Sequence, residues 1–415
     1  MTLSDSGPMA RRTLWVMLLA LCCAFTLSQA FRTVAAMMAK PLQAELGLSN
    51  QQLGLFAGAF HFAFGAMQLF MGVGIDLHGI RRTVLIAFPL AIAGSALSAL
   101  ASSYPLLLAG QVLIGIGCAP AFLVCTVFIA RNFPAARFAA VSGLIMSLGG
   151  IGLLLTGTPL AWLIEVSSWR AGFAVLGVGS ALAWLVVFAL VRDTPAPAAA
   201  EPPPRESLPE ALRAFGALFA VPHTWGIMVL GAVTYSSFIA LRGLWLGPLL
   251  IERYGYTLVQ SGNVALAVSV VSLLGPPLFG RLRTQGRAQR HWIIGFTLLM
   301  AAAFAALALS PGAHLAVAGV LLSGFLSGYI VLQYADVRAA YPAALTGRAL
   351  AVFTMAMFLG IALVQWLTGL VATYALAHGI EPYTAVLFAI AALLAMGALA
   401  FAALPAPASA ARPAR

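Results

Sequence analysis

Apolar runs of membrane-crossing length constrain this chain more than any other feature of its sequence. A helix needs about 20 predominantly apolar residues to cross a hydrocarbon core of roughly 30 Å, and its backbone polar groups must be satisfied within the segment. Twelve such runs are predicted, at residues 13–38, 51–75, 83–101, 104–130, 138–164, 170–191, 223–250, 258–280, 291–309, 312–335, 347–377 and 382–404. With 62% hydrophobic and 8% charged residues among 415, and a mean hydropathy of +1.00, a soluble globular fold is excluded. The expected fold class is an all-α membrane protein with twelve transmembrane helices.

Charge sets the expected orientation. With the odd-numbered junctions placed outside, seventeen of the twenty-two Lys and Arg fall on the cytoplasmic side and three, Lys40, Arg170 and Arg253, on the outer side. This is the positive-inside bias, so both termini are expected in the cytoplasm of a multi-pass bacterial inner-membrane protein. The net charge of +11 therefore reports topology and not a nucleic-acid partner. Arg11-Arg12 before an apolar run imitates a signal peptide, but the charge bias requires this helix to be retained as the first span. Cys22, Cys23, Cys118 and Cys125 all lie in predicted spans, where they read as small apolar side chains and not as disulfide partners.

The chain repeats itself. Leu46-Gly47-Leu48-Ser49 with Gln52 and Gly54 is echoed 208 positions later by Tyr254-Gly255-Tyr256-Thr257 with Gln260 and Gly262, and Phe133-Pro134 by Tyr341-Pro342 at the same offset. Two six-helix bundles related by a pseudo-two-fold axis are expected, residues 1–191 and 223–415. A proline-rich cytoplasmic linker, 192–222, joins them. Leu208, Leu212, Phe215 and Phe219 give the linker a short amphipathic helix.

Two residues contradict their surroundings. Arg32 and Arg242, 210 positions apart, lie inside the first and seventh runs. An intramembrane arginine costs roughly 2.5 to 3.5 kcal/mol on insertion scales and so marks a functional position. All eleven acidic residues fall in loops or at helix ends, so no carboxylate is expected mid-membrane to pair with either arginine. Unpaired guanidinium groups facing a central cavity would attract an anion and grip a carboxylate or phosphate with two hydrogen bonds. Snorkelling to the interface, or burial against backbone carbonyls, is the structural alternative.

Other polar residues within the runs extend the candidate site. Gln29 shares a helical face with Arg32, and Tyr235 and Trp245 share one with Arg242, suited to the apolar part of a substrate. Asn263, Gln333 and Gln365 are further cavity candidates or helix-helix hydrogen-bond partners. His61, read as the one histidine well inside a span, is the candidate for proton coupling, with plain packing as the alternative.

After the second run stands Gly72-Val-Gly-Ile-Asp76-Leu-His-Gly79-Ile-Arg81-Arg82. It resembles the signature of the major facilitator superfamily, G-x-x-x-D-(R/K)-x-G-x-(R/K)-(R/K), failing at Leu77. The resemblance implies a gating role for Gly72, Asp76, Gly79, Arg81 and Arg82. Ser168-Trp169-Arg170-Ala-Gly-Phe173 is similar to that family's W-R-x-x-F at the start of span 6. Gln111 replaces the arginine of its R-x-x-x-G-x-G element, and Gly157-Thr-Pro159 falls short of the antiporter G-P-x-x-G-G, which weakens a drug/proton antiport reading. Paired arginines in spans 1 and 7 are similar to its organophosphate exchangers, and an arginine in span 1 to its organic anion symporters.

The expected function is secondary transport of a small organic anion, a carboxylate foremost, by alternating access with proton coupling. The expected partners are the substrate, protons and the lipid bilayer, with the protein a monomer. Alternatives are organophosphate/phosphate exchange, export of anionic compounds, a transporter-like ligand sensor, or a copper carrier using Met67, Met71 and His61. No nucleotide-binding lysine motif or nucleophile elbow occurs, so neither enzymatic chemistry nor a resident cofactor is expected.

Overall fold

The computed structural model describes residues 11–192, 216, 218–282, 286–341 and 343–404, apart from a few side chains within helices, that of Asp76 among them. Most of the linker, including Leu208, Leu212 and Phe215, lies outside these residues. The described chain is helical throughout, without a strand. Eleven segments are long and apolar enough to cross a membrane: Arg12–Phe31, Leu77–Ala99, Tyr104–Asn132, Val141–Val166, Trp169–Leu190, Pro222–Arg253, Leu258–Phe279, Gly286–Ala308, Ala313–Ala340, Arg348–Ala377 and Pro382–Ala403. The first part of the helix Asn50–Ala99 supplies span 2, giving twelve in two six-helix bundles.

The repeated sequence has a physical basis. Gly47 (φ 63°) and Gly255 (φ 70°) turn the chain after spans 1 and 7 in the left-handed region, which glycine enters without a Cβ clash. Two residues later each half opens its next helix with a capping box. Ser49 N donates to Gln52 Oε1 at 2.9 Å and Gln52 N to Ser49 Oγ at 3.2 Å. Thr257 and Gln260 repeat the pair at 2.9 and 3.1 Å. Caps of this kind contribute about 1 kcal/mol each. Phe133 (φ −116°, ψ 146°) and Tyr341 (φ −124°, ψ 149°) end spans 4 and 10 in the extended region that a following proline imposes.

The predicted loop at 76–82 differs from the structure. Helix runs through it and departs from helical geometry only at Gly79 (φ 84°, ψ 169°), so spans 2 and 3 form one broken rod.

Between the halves, span 2 packs along span 11 and span 5 along span 8. The approach is closest at the end expected to face outward. A Cβ added to Gly54 would stand 2.4 Å from the backbone oxygen of Gln365, and one on Gly247 would stand 2.1 Å from that of Ala36. Hydrogen bonds join the halves there, from Gln51 N to Thr373 Oγ1 at 3.0 Å and from Val259 N to Glu165 Oε1 at 3.1 Å. Lys40 and Glu252 form an ion pair across the same seam, and Tyr383 donates to Glu252 at 2.5 Å.

Glycines at the seam and within a bundle should respond differently to a side chain. Gly360 lies within one half, its added Cβ 2.2 Å from Ala232 O. Gly360→Val is expected to lower the melting temperature. Gly54→Val is expected to wedge the seam apart, raising thiol labelling of Ala362→Cys in a cysteine-free background. Unchanged labelling would show that the seam tolerates the wedge closed.

Candidate functional site

Both arginines lie at interruptions of their helices. Span 1 breaks at residues 32–34 before resuming as Ala35–Leu46, and Arg32 is the first residue of the break. Span 7 widens into a π-helical turn, Leu241–Trp245, that contains Arg242. Such irregularities free or re-aim backbone groups and concentrate at functional positions. The interruptions face each other, for a Cβ on Gly243 would stand 3.1 Å from Arg32 O.

The two guanidinium groups have different surroundings. Arg242 is 1% exposed. Its Nε donates to Ser269 Oγ at 3.1 Å and its Nη2 to Leu153 O at 3.0 Å, with Thr156 Oγ1 at 3.5 Å. Leu153 and Thr156 belong to span 5, so this arginine ties the C-terminal half to the N-terminal half. Its receptor is the carbonyl end of an interrupted helix, where a cation is favoured. The expectation of an unpaired cation does not hold for Arg242, whose position is the backbone-carbonyl alternative; only its Nη1 lacks a partner.

Arg32 is 8% exposed and rests on two rings instead. Its guanidinium carbon is 4.8 Å from the ring centroids of both Phe64 and Phe358. Those rings come from opposite halves and touch each other at 4.4 Å. The Tyr235 phenol is its one hydrogen-bonding side chain among the described residues, and Nε has no partner. Cation–π contacts contribute about 0.5–2 kcal/mol each, whereas leaving an ion out of water costs several. The deficit is available to an anion. A short polar path links the arginines, with Thr33 Oγ1 and Thr156 Oγ1 2.7 Å apart.

The remaining candidates divide. Gln29 is half-buried with an unpartnered Oε1, and Gln365 is fully buried with neither amide atom paired, close to Gly243 and His61. His61 bonds its own helix through Nδ1 to Ala57 O at 3.1 Å and stacks on Phe358 at 6.4 Å, which it shares with Arg32. A charge on His61 would repel that guanidinium with no carboxylate nearby, so the geometry suits a neutral hydrogen-bonding ring. Trp245 donates to Thr368 Oγ1 at 2.9 Å and meets Tyr383 edge-on, away from Arg32. Asn263 is exposed and accepts from Thr158 at 2.6 Å, a bond between halves. Gln333 accepts from Thr234 at 3.0 Å within the C-terminal half.

In the signature segment, Arg81 donates to Phe188 O at 3.0 Å and lies over that ring, 5.3 Å from its centroid, which ties span 3 to span 6. Arg82 is exposed, and a side chain at Gly72 would meet nothing. At the expected outer end Trp169 Nε1 and Arg170 Nη1 donate to Glu45 at 2.6 and 2.5 Å. These bonds hold its carboxyl below the usual carboxylate range. The similarity to W-R-x-x-F thus corresponds to a clamp between spans 1 and 6.

Opposite effects on the unliganded protein follow for the two arginines. Arg242→Ala strands Leu153 O and Ser269 Oγ, at about 1–3 kcal/mol per unsatisfied group, and should lower the melting temperature by several degrees. Arg32→Met removes an uncompensated buried charge and should leave it unchanged or raise it. Thermal unfolding in detergent checks both, and equal losses would contradict the asymmetry.

The Major Facilitator Superfamily family model matches residues 20–365. The probable sulfoacetate transporter of Cupriavidus necator is 26% identical over 42% of this chain and 41% of its own length. The hexuronate transporter of Bacillus subtilis is 29% identical over 43% and 44%. The matched stretch thus spans less than half of each of these two relatives. A multidrug resistance protein of Escherichia fergusonii is 26% identical over 69% of this chain and 72% of its own. Among solved structures, a bacterial homologue of the human lysosomal transporter Spinster superposes with a TM-score of 0.75 at 17% identity, covering 94% of this chain and 97% of that one. A D-xylose–proton symporter gives 0.74 at 17% identity, covering 95% and 99%. These carry the same fold of two packed helical halves. With the family model covering most of the sequence, the chain belongs to the major facilitator superfamily.

Proposed function

We propose that this chain is a secondary transporter that carries a small organic anion by alternating access, with Arg32 as its principal anion ligand. The observation that carries the reading is the unequal provision for two buried cations. Arg242 is met by a carbonyl and a hydroxyl, while Arg32 has, among the described residues, two ring faces, the Tyr235 phenol, no carbonyl and an unpartnered Nε. A carboxylate supplies what Arg32 lacks, a negative charge with two acceptors in one plane. The named activities of the first two relatives, on sulfoacetate and on a hexuronate, concern organic anions and support this class, the hexuronate carrying the single carboxylate charge that one free guanidinium matches.

Alternating access follows from the same charge. The halves are packed at the end we assign to the outside, so the opposite state requires that end to part. Rocking to the opposite state separates Phe64 from Phe358, which belong to different halves, and removes one ring from Arg32. An empty site then holds a cation with still less compensation, whereas a bound anion neutralises it. Loaded protein therefore crosses between states more readily than empty protein, which is the condition for substrate-dependent transport. A doubly charged phosphate would need a second free cation, so phosphate-linked exchange is the weaker reading.

A thermal-shift assay of the purified protein with a hexuronate, sulfoacetate and neutral xylose tests the assignment. A ligand at about 100 times its Kd stabilises by about 2.7 kcal/mol. Wild type and Arg242→Ala should shift with the monoanionic hexuronate, less with the dianionic sulfoacetate and not with xylose, whereas Arg32→Ala should show no shift. A full shift in Arg32→Ala would place the anion elsewhere.

A further inference from the structure

Among the described residues, His223 and Asp336 form a largely buried acid–base pair that the anion site does not use. His223, at the start of span 7, is 3% exposed, and its Nε2 lies 3.2 Å from Asp336 Oδ2 in span 10. Asp336 lies about one turn from the end of the helix Ile330–Ala340, at 13% exposure. His223 Nδ1 is buried without a partner. Asp336 borders a narrow crevice, too small for a water, between spans 7, 9, 10, 11 and 12, walled by Ile227, Leu230, Ile293, Phe353 and Phe401 with Gln333 beside it, and the His223 ring lies 6.0 Å from that of Phe401.

We propose that His223 and Asp336 form a proton-binding site that couples proton movement to anion transport, an inference that rests on the anion reading above. With one proton on the pair it is neutral overall, as imidazolium with carboxylate or imidazole with carboxylic acid. Loss of that proton to water leaves neutral imidazole beside a carboxylate, a net negative charge faced by the Tyr341 phenol, Gln333 and apolar side chains. A net charge shut away from water is disfavoured, so the deprotonated pair requires water at the cytoplasmic end, and closure of that end requires the proton. Arg32 imposes the converse rule, closure requiring an anion. Together the rules favour the carrier loaded with one anion and one proton.

The surroundings leave this role to the pair. Span 9 contributes Arg290, whose Nη2 donates to Leu404 O at 2.5 Å and to Phe401 O, and His291, exposed and bonded to Arg287 O at 2.7 Å. Span 10 contributes Tyr341, whose phenol faces Asp336 and bonds Thr224 at 2.6 Å, Tyr334, and the exposed Arg338. Span 11 contributes Arg348, itself engaged, and span 12 presents the Phe401 ring. In the repeat, the position 208 residues before Asp336 is Phe128, 1% exposed. The fold accepts an apolar ring there, so packing alone does not demand a titratable pair.

Proteoliposome transport and infrared spectroscopy test the site on His223→Gln and Asp336→Asn, which retain size and hydrogen bonding. Both variants should keep the anion-induced thermal shift and anion counterflow, and lose accumulation driven by a pH gradient at least tenfold. The pH-difference infrared spectrum of unliganded wild type should contain carboxylate and imidazole bands absent from Asp336→Asn and His223→Gln respectively. Undiminished accumulation in both variants would overturn the coupling role. Identical infrared spectra in wild type and variants would overturn the proton site itself, whatever becomes of the anion assignment, which stands or falls on Arg32.

Discussion

The architecture depends on a guanidinium held in apolar surroundings with too little to satisfy it. Arg32 occupies the point where span 1 breaks, and the break brings its backbone against the π-turn of span 7. The rings beneath it come from opposite halves. A charge in a low-dielectric interior interacts strongly with whatever lies nearby, so the state of the seam and the energy of this cation depend on each other. A water-exposed arginine would be indifferent to the same motion.

Arg242 shows how the fold satisfies a like charge when it serves structure. A helix interrupted at Thr156 and Gly157 leaves carbonyls exposed, and Leu153 O receives the guanidinium directly. Ser269 accepts a second bond and itself donates to Ala265 O at 2.7 Å, so the acceptor is held in place. Pseudo-symmetry thus supplied two cations at matching depths, and the polar side chains around them separated their roles. Thr156, which contacts Thr33 as well as Arg242, joins the two environments.

Much of the fold was legible because its signals are local. Segment length and hydropathy located the spans, and the repeated Gly47/Ser49/Gln52 and Gly255/Thr257/Gln260 elements correspond to the same turn and cap in each half. The unequal fates of the arginines were not legible, since Leu153 O and Ser269 reach Arg242 only through contacts of span 5 and span 8 with span 7. Phe64 and Phe358 are two of 25 phenylalanines, and no pattern along the chain distinguishes those that meet across a seam. Thr33 and Thr156, 123 positions apart, carry no pattern along the chain that shows them meeting. Trp245 was legible as buried but not as bonded to Thr368. The Gly79 kink was expected as a loop because glycine and charge signal a turn equally well whether one residue or seven leave the helix.

The same accounting of charge narrows the cargo further. A neutral solute would leave Arg32 as costly in the closed state as in the empty protein, so its binding would do nothing to favour closure. A dianion would reverse the deficit, since Arg242 already spends two donor groups on protein acceptors and offers Nη1 alone. A single negative charge brings the seam nearest to neutrality. Half-buried Tyr235 and Gln29 then provide hydrogen bonding beyond the anionic group. This combination favours a compact hydroxylated or similarly polar acid over a large apolar one, because an apolar tail would leave those polar groups dehydrated and unpaired.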